Sequence, residues 1–355
     1  MKSRDYWQKR AEQIAERQHK KADEYIEKLK REYEKALKSI QRDIEVFYQR
    51  FAINNEISFA EAKKLLTEGE LEEFRMTLEE FIEKAKDNAD GRWTKILDNV
   101  YFKTRVSRLE ALQIQIRQQI ELLKASEQQK TKELLSDVYE DTYYRTIFEL
   151  QKGVGIGSTF AKVDNKALEN VLSQPWQDSN FSARIWDDRD KLLRELETAL
   201  SQAFIRGDSI DRIAQALAKR MSVSYSNAAR IIRTETSFIV GQATFEGYKA
   251  SGIVKKYEYL ATLDSRTSQI CRSMDGLVFN LNEKEVGVNY PPLHPNCRST
   301  VVPYFDDELE PGKRIARGEG GRTYYVPGDI SYQEWYNKYV KHKIKTYKER
   351  RSKDK

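Results

Sequence analysis

Cysteine is almost missing from this chain: its 355 residues hold two, Cys271 and Cys297. That scarcity excludes a disulfide-stapled secreted scaffold, which needs several bridges to replace a hydrophobic core. Long apolar runs are missing as well. None approaches the ~20 residues that cross a bilayer, so neither a spanning helix nor a membrane partner is expected. The start, Met1 to Trp7, has no apolar segment after its charges. No secretory leader is predicted, and synthesis in a reducing cytoplasm is expected, where the two cysteines serve as thiols or metal ligands rather than as a disulfide.

What the chain has in abundance is charge. Charged residues make up 33% and the mean hydropathy is -0.76, which predicts long helices with much exposed surface rather than one large core. The net charge of +6 is unevenly spread. From Asn54 to about Asp98 the chain is acidic, with Glu70, Glu72, Glu73, Glu79, Glu80 and Glu83, whereas its end is basic. The basic end includes Lys341, Lys343, Lys345, Lys348, Arg350 and Arg351, a pattern suited to a polyanion such as nucleic acid or, more plainly, to a solvated tail.

The fold class expected is mainly α: an elongated N-terminal helical hairpin or bundle, then a small α+β domain. Ile26, Leu29, Tyr33, Leu37, Ile40, Ile44 and Phe47 recur at steps of three and four, one stripe of a helix that needs covering. Ser58-Phe59-Ala60-Glu61 has the spacing of a capping box and predicts a second helix, running to Asp90-Gly91. A third takes in Trp93 to Val100 and continues from Leu109 toward Phe148. Gly153-Val154-Gly155-Ile156-Gly157 breaks the helical pattern and reads as a hinge, since neither a Gly-Lys-Ser/Thr follows nor a strand precedes to make it a phosphate loop. The expected organisation is 1–152 long helices, 153–186 hinge and linker, 187–310 the α+β domain, and 311–355 a basic extension. Within the α+β part, one helix is expected to open at Asp208 or Ser209 and another to run from about Ser226 to Ala250, ending at Gly252. Val254–Thr262, Leu277–Phe279 and Ser299–Tyr304 are the candidate strands.

The densest chemistry lies in that last part. Asp264-Ser265-Arg266-Thr267, Cys271, Asp275-Gly276 and Pro291-Pro292-Leu293-His294-Pro295-Asn296-Cys297-Arg298 follow one another closely. Cys271, His294 and Cys297 are ligand types that favour zinc, although a closed structural site normally has four Cys or His ligands. The competing expectation needs no cofactor: prolines stiffen the loop, His294 donates to a backbone carbonyl, and the thiols fill the core. A Cys271–Cys297 disulfide, formed outside the cell, is the third reading. Arg233, Glu235, Asp264, Arg266 and Arg298 are candidates for a buried ion-pair network with a bidentate guanidinium. Asp264 also suits a turn in which its carboxylate accepts the amide two residues on.

Arg233-Thr234-Glu235, Gly252, Tyr257, Asp264-x-Arg266-Thr267, Cys271, Asp275-Gly276 and Pro291-Pro292-x-His294-Pro295-x-Cys297-Arg298 occur in an order that resembles the C-terminal domain of phage Mu F-like head morphogenesis proteins, over about residues 190–305. Where that family often has a further cysteine, this chain has Ser299. The resemblance implies a non-catalytic minor head protein, a virion component lying inside the particle near the portal vertex. It also implies roles in capsid assembly and in DNA packaging or ejection, with portal protein, scaffold or major capsid protein, and double-stranded DNA as partners. Two other functions compete. One is a helical DNA-binding adaptor unrelated to capsids. The other is a toxin-like ADP-ribosyltransferase on a phage head domain, echoed by Arg233, Thr236-Ser237 and Glu283-x-Glu285, though the first two elements fall within one expected helix.

Overall fold

A computed structural model describes residues 2–54, 108–155, 160–163, 165–206, 208–305, 313–317, 323–327, 330 and 332–341. The chain is mainly α. Its long helices are α1 (Arg4–Asn54), α2 (Arg108–Val154), α4 (Phe181–Arg206) and α5 (Ile210–Ser251), with a short α3 (Asn165–Ser173) between α2 and α4. No helix among the described residues is long and apolar enough to cross a membrane. The expected helix from Ser58 to Gly91, and the Trp93–Val100 start of the next, lie outside the described residues.

The stripe read from the sequence is the buried face of α1. It extends further toward the N-terminus than expected, through Trp7, Ala15 and Ala22 to Ile26, Leu29, Tyr33, Ala36, Ile40 and Ile44. Leu37 is only half-buried, because Ala36 takes the inward position one residue before it. At the glycine-rich break, α2 ends at Val154 and Gly155 takes φ +80°. Gly153 serves a different need. The indole of Trp7 lies so close that a β-carbon there would stand 2.1 Å from a ring carbon, closer than any side chain can be accommodated.

The two helices expected on either side of Ser222 are one. α5 runs unbroken from Ile210 to Ser251, and Ser226 Oγ donates to the carbonyl of Ser222 at 2.9 Å, so the serine that suggested a new start is satisfied within the helix. The two ends are as expected, with Ser209 Oγ 3.4 Å from the amide of Arg212 and Gly252 in the left-handed conformation.

After α5 come β1 (Lys256–Leu260), α6 (Gln269–Met274), β2 (Val278–Asn280) and β3 (Thr300–Tyr304). They form an antiparallel sheet of order β2-β1-β3, with Tyr257 opposite Phe279 on one side and Pro303 on the other. β1 and β3 fall within the segments read from the sequence, and β2 runs one residue past its segment, to Asn280. Residues 313–341, which the sequence offered only as part of a basic extension, also carry structure: a hairpin of β4 (Lys313–Arg317) and β5 (Thr323–Pro327), then α7 (Tyr332–Trp335) and a turn of π-helix at Tyr336–Lys341. Ala316, Val326, Ile330, Tyr332 and Trp335 form a core cluster with Leu263.

The chain divides into two compact units, one of residues 1–27, 128–184 and 229–355, the other of residues 28–127 and 185–228. In the first, one core cluster joins Trp7, Leu150, Tyr248, Val254, Tyr257, Tyr290 and Val301. The second buries Leu112, Ile116, Ile120, Leu192, Leu196 and Leu217, and at its centre it also buries charge. Lys124, fully buried, donates to Glu127 at 3.0 Å, Asp188 at 2.8 Å and the Tyr33 hydroxyl at 2.5 Å. Tyr33 donates in turn to Glu127, while Ser224 and Asn227 donate to Asp188. Burial pushes Glu127 above the ordinary carboxylate value against the pull of Lys124. The lysine's hydrogens are thus spent on three acceptors, which is what a buried ammonium requires.

Candidate metal centre and ion-pair locks

Leaving β1, the chain turns at Asp264. The carboxylate accepts the amide of Arg266 at 2.9 Å, the expected turn, and the Thr267 hydroxyl donates to Thr262 O at 2.5 Å with Asp264 Oδ1 3.1 Å away. Arg298 closes the turn with both terminal nitrogens, Nη2 to Oδ1 at 2.9 Å and Nη1 to Oδ2. Burial works to raise Asp264, but the paired guanidinium and the two local donors outweigh it and hold the carboxyl below its usual range.

The turn delivers Ser268, whose hydroxyl accepts the amide of Cys271 and caps α6. That places Cys271 facing the His-Pro loop. Its sulfur lies 3.2 Å from His294 Nε2 and 3.7 Å from the sulfur of Cys297, with all three ligand atoms within 4.8 Å of one another. Both cysteines are free thiols, since a disulfide would bring the sulfurs to ~2.05 Å. His294 Nδ1 donates to the carbonyl of Pro295 at 2.8 Å, since a carbonyl only accepts, and Nε2 faces Ser268 Oγ and Cys271. Tyr259 donates to Cys271 Sγ at 3.2 Å from beneath. The contact between the two sulfurs holds Cys297 below the ordinary thiol value despite its burial and pushes Cys271 above it.

The loop is held from α5, though not by the residues the sequence pointed to. Thr234 Oγ1 accepts the amide of Asn296, and Ser237 Oγ donates to Cys297 O at 2.6 Å. The usable signal was the run Thr234-Glu235-Thr236-Ser237, since polar side chains in the buried stretch of a helix must find partners. The five-residue ion network expected around Asp264 is instead three separate contacts. Asp264 pairs with Arg298, from the loop before β3 rather than from the helix. Glu235 pairs with Arg184 of α4, which also donates to Trp176 O; the Trp176 indole donates to Pro292 O at 3.2 Å. Arg233 reaches Asp23 on an exposed face at 2.9 Å. Arg266 contributes only its backbone to the turn, and its side chain lines a cavity of 470 Å³ against the face of α1 that carries Glu12, Glu16 and Asp23. Burial raises Glu235 to about 7, more than the nearby Arg184 lowers it.

Asp275 and Gly276 belong to the same assembly. Asp275 accepts the amides of Ala261 at 2.9 Å and Tyr332 at 3.1 Å; Gly276, at φ +81°, donates to Tyr259 O. Tyr332 then donates its hydroxyl to Asp264 O at 2.8 Å, and Arg272 stacks on its ring with 4.4 Å to the centroid. Sequence reasoning missed Tyr332 and Arg184, and it named Thr234 and Ser237 only within motifs, not as the anchors of the loop. Of the basic tail, Lys341 ends the π-helical turn, while Lys343, Lys345, Lys348, Arg350 and Arg351 lie outside the described residues.

Comparison with known proteins fits this geometry. Residues 194–302 match the family described as Phage Mu protein F like protein. The chain is 26% identical over 280 residues to Minor head protein GP7 of Bacillus phage SPP1, spanning 75% of this chain and 87% of that protein. It is 24% identical over 259 residues to a protein of Enterococcus faecalis named NAD(+)--arginine ADP-ribosyltransferase EFV, covering 69% of this chain but 52% of that one. An uncharacterized protein of Haemophilus influenzae is 26% identical over 34% of this chain. No solved structure matches significantly. The stretch that carries the Asp264 turn and the Cys-His-Cys cluster matches the Phage Mu protein F like family, in a chain similar over three quarters of its length to a phage minor head protein.

Proposed function

We propose that this chain is a phage minor head protein, a non-catalytic component of the virion that acts at the portal vertex. Its partners are portal protein, scaffold or major capsid protein, and double-stranded DNA, and its work is head assembly together with DNA packaging or ejection. The observation that carries the reading is the reach of the likeness to the SPP1 minor head protein: it takes in most of both chains, well beyond the 194–302 segment. The basic C-terminal residues supply charge for a phosphate backbone.

A non-catalytic role is supported by the residues that echo an ADP-ribosyltransferase. Thr236 and Ser237 are buried within α5, and Ser237 spends its hydroxyl on Cys297 O, so neither faces a substrate. Glu283 accepts the amide of Asn280 in a short capping turn. The enzyme-named relative is matched over about half its length, which leaves room in it for a separate catalytic part.

The test is copurification. Coexpressed with the portal protein of its own phage, the full chain should elute with the portal ring, and it should not consume NAD. Retention on free DNA without any portal association would favour the adaptor reading, and NAD turnover by the pure protein would overturn the non-catalytic one.

A further inference from the structure

The geometry points to a zinc site at Cys271, Cys297 and His294, in which two thiolates and one imidazole nitrogen hold the ion and an oxygen ligand completes it. Two thiolates on a tetrahedral zinc, with bonds of ~2.3 Å, stand about 3.8 Å apart, and a thiolate stands about 3.6 Å from a bound imidazole nitrogen. The observed separations are 3.7 Å between the sulfurs and 3.2 Å from Cys271 Sγ to His294 Nε2. Two of the three edges thus lie within about 0.4 Å of the required tetrahedron, and the third, Cys297 Sγ to His294 Nε2, is within 4.8 Å.

The surroundings suit a ligand set better than a packed core. The Pro295 carbonyl engages Nδ1 of His294, so that Nε2 is the nitrogen presented to the sulfurs, as a backbone carbonyl orients metal-bound histidines. Buried thiols used only as apolar filler gain nothing from an imidazole aimed at them. Among the described residues no fourth Cys, His, Asp or Glu joins the group, so the last vertex falls to the Ser268 hydroxyl, 2.8 Å from Nε2, or to water. On binding, each thiol that still carries a proton releases it to solvent, and no electrons move. The ion would tie together the start of α6, the His-Pro loop and the approach to β3.

The full-length protein, stripped with chelator and dialysed, is titrated with Zn²⁺ and, separately, Co²⁺. One equivalent of metal per chain is expected by elemental analysis. Cobalt should give the intense visible bands of tetrahedral coordination and a sulfur-to-cobalt charge-transfer band in the near ultraviolet. His294→Gln, at a half-exposed position that the fold tolerates, should weaken zinc retention while keeping the charge-transfer band. Ser299→Cys, beside both sulfurs, should add a third thiolate and raise that band by about half, in proportion to the cobalt–sulfur bonds. Substoichiometric metal in the unaltered protein, or a pale octahedral cobalt spectrum without the sulfur band, overturns the site, even if Ser299→Cys then binds.

Discussion

Around Asp264 the buried charges come from one short stretch of chain, Asp264 and Arg298 being 34 residues apart; around Lys124 they come from three distant places, Tyr33, Lys124 with Glu127, and Asp188 with Ser224. The first cluster sits among turns and strands and is partly open to solvent, its arginine side chain 27% exposed. The second is dry and made wholly from helix faces. Burying a charge requires a full set of partners in either place, but only the first advertises them in sequence, because a turn fixes its neighbours within a few residues. On a helix the partner is chosen by packing, and one lysine in a charged helix looks like any other.

The largest effect that can sharpen this contrast is at Lys124. Lys124→Ala leaves Glu127 and Asp188 buried beside each other without a counter-ion, and should cost about 3–5 kcal/mol in urea unfolding. A loss below about 1 kcal/mol would mean the cluster is wetter than its burial implies.

Next comes pH. Glu235 has its pKa raised from 4.5 to about 7, so between those values the folded chain holds a proton that the unfolded chain has lost. Its contribution is fully present below pH 4.5 and is lost as pH rises through about 7, on the order of 3 kcal/mol. Glu235→Gln should flatten that part of the stability curve; an unchanged slope would assign it to another group. The smallest effect should be at Arg233: its pair with Asp23 is exposed on both sides, and Arg233→Ala should change stability by about 0–1 kcal/mol, whereas Asp264→Asn, which strips Arg298 of its partner, should cost about 2 kcal/mol.

How much could be read from the sequence follows the same division. The stripe of α1 was legible because burial imposes a period of 3.6 on side chains such as Ile26 and Ile40, while β1 and β3, buried at nearly every position, were legible from β-branched and aromatic residues such as Tyr257 and Val301. The end of α5 was legible from Gly252. Its continuity through Ser222–Ser226 was not, since a serine that bonds back to its own helix is indistinguishable in sequence from one that starts a helix. The β4–β5 hairpin was hidden by its charge: Lys313, Arg314 and Arg317 read as tail, although Ala316 and Val326 are buried. For the candidate metal site, His294 and Cys297 were visible as neighbours. Cys271 was named with them by residue type, and what brings it to them is the Asp264 turn and the Ser268 cap, which only the geometry shows.

Tyr332 gives the family boundary a different meaning. The resemblance to Mu F-like proteins stops at residue 302, yet this tyrosine, thirty positions later, lids the Asp264 carbonyl and takes up the second oxygen of Asp275. A protein trimmed to the recognisable segment would therefore uncover Leu263 and strand two acceptors at the foot of the sheet. The inherited module and the physical folding unit have different edges, and the later edge is the one that matters to anyone who wishes to express, crystallise or graft it.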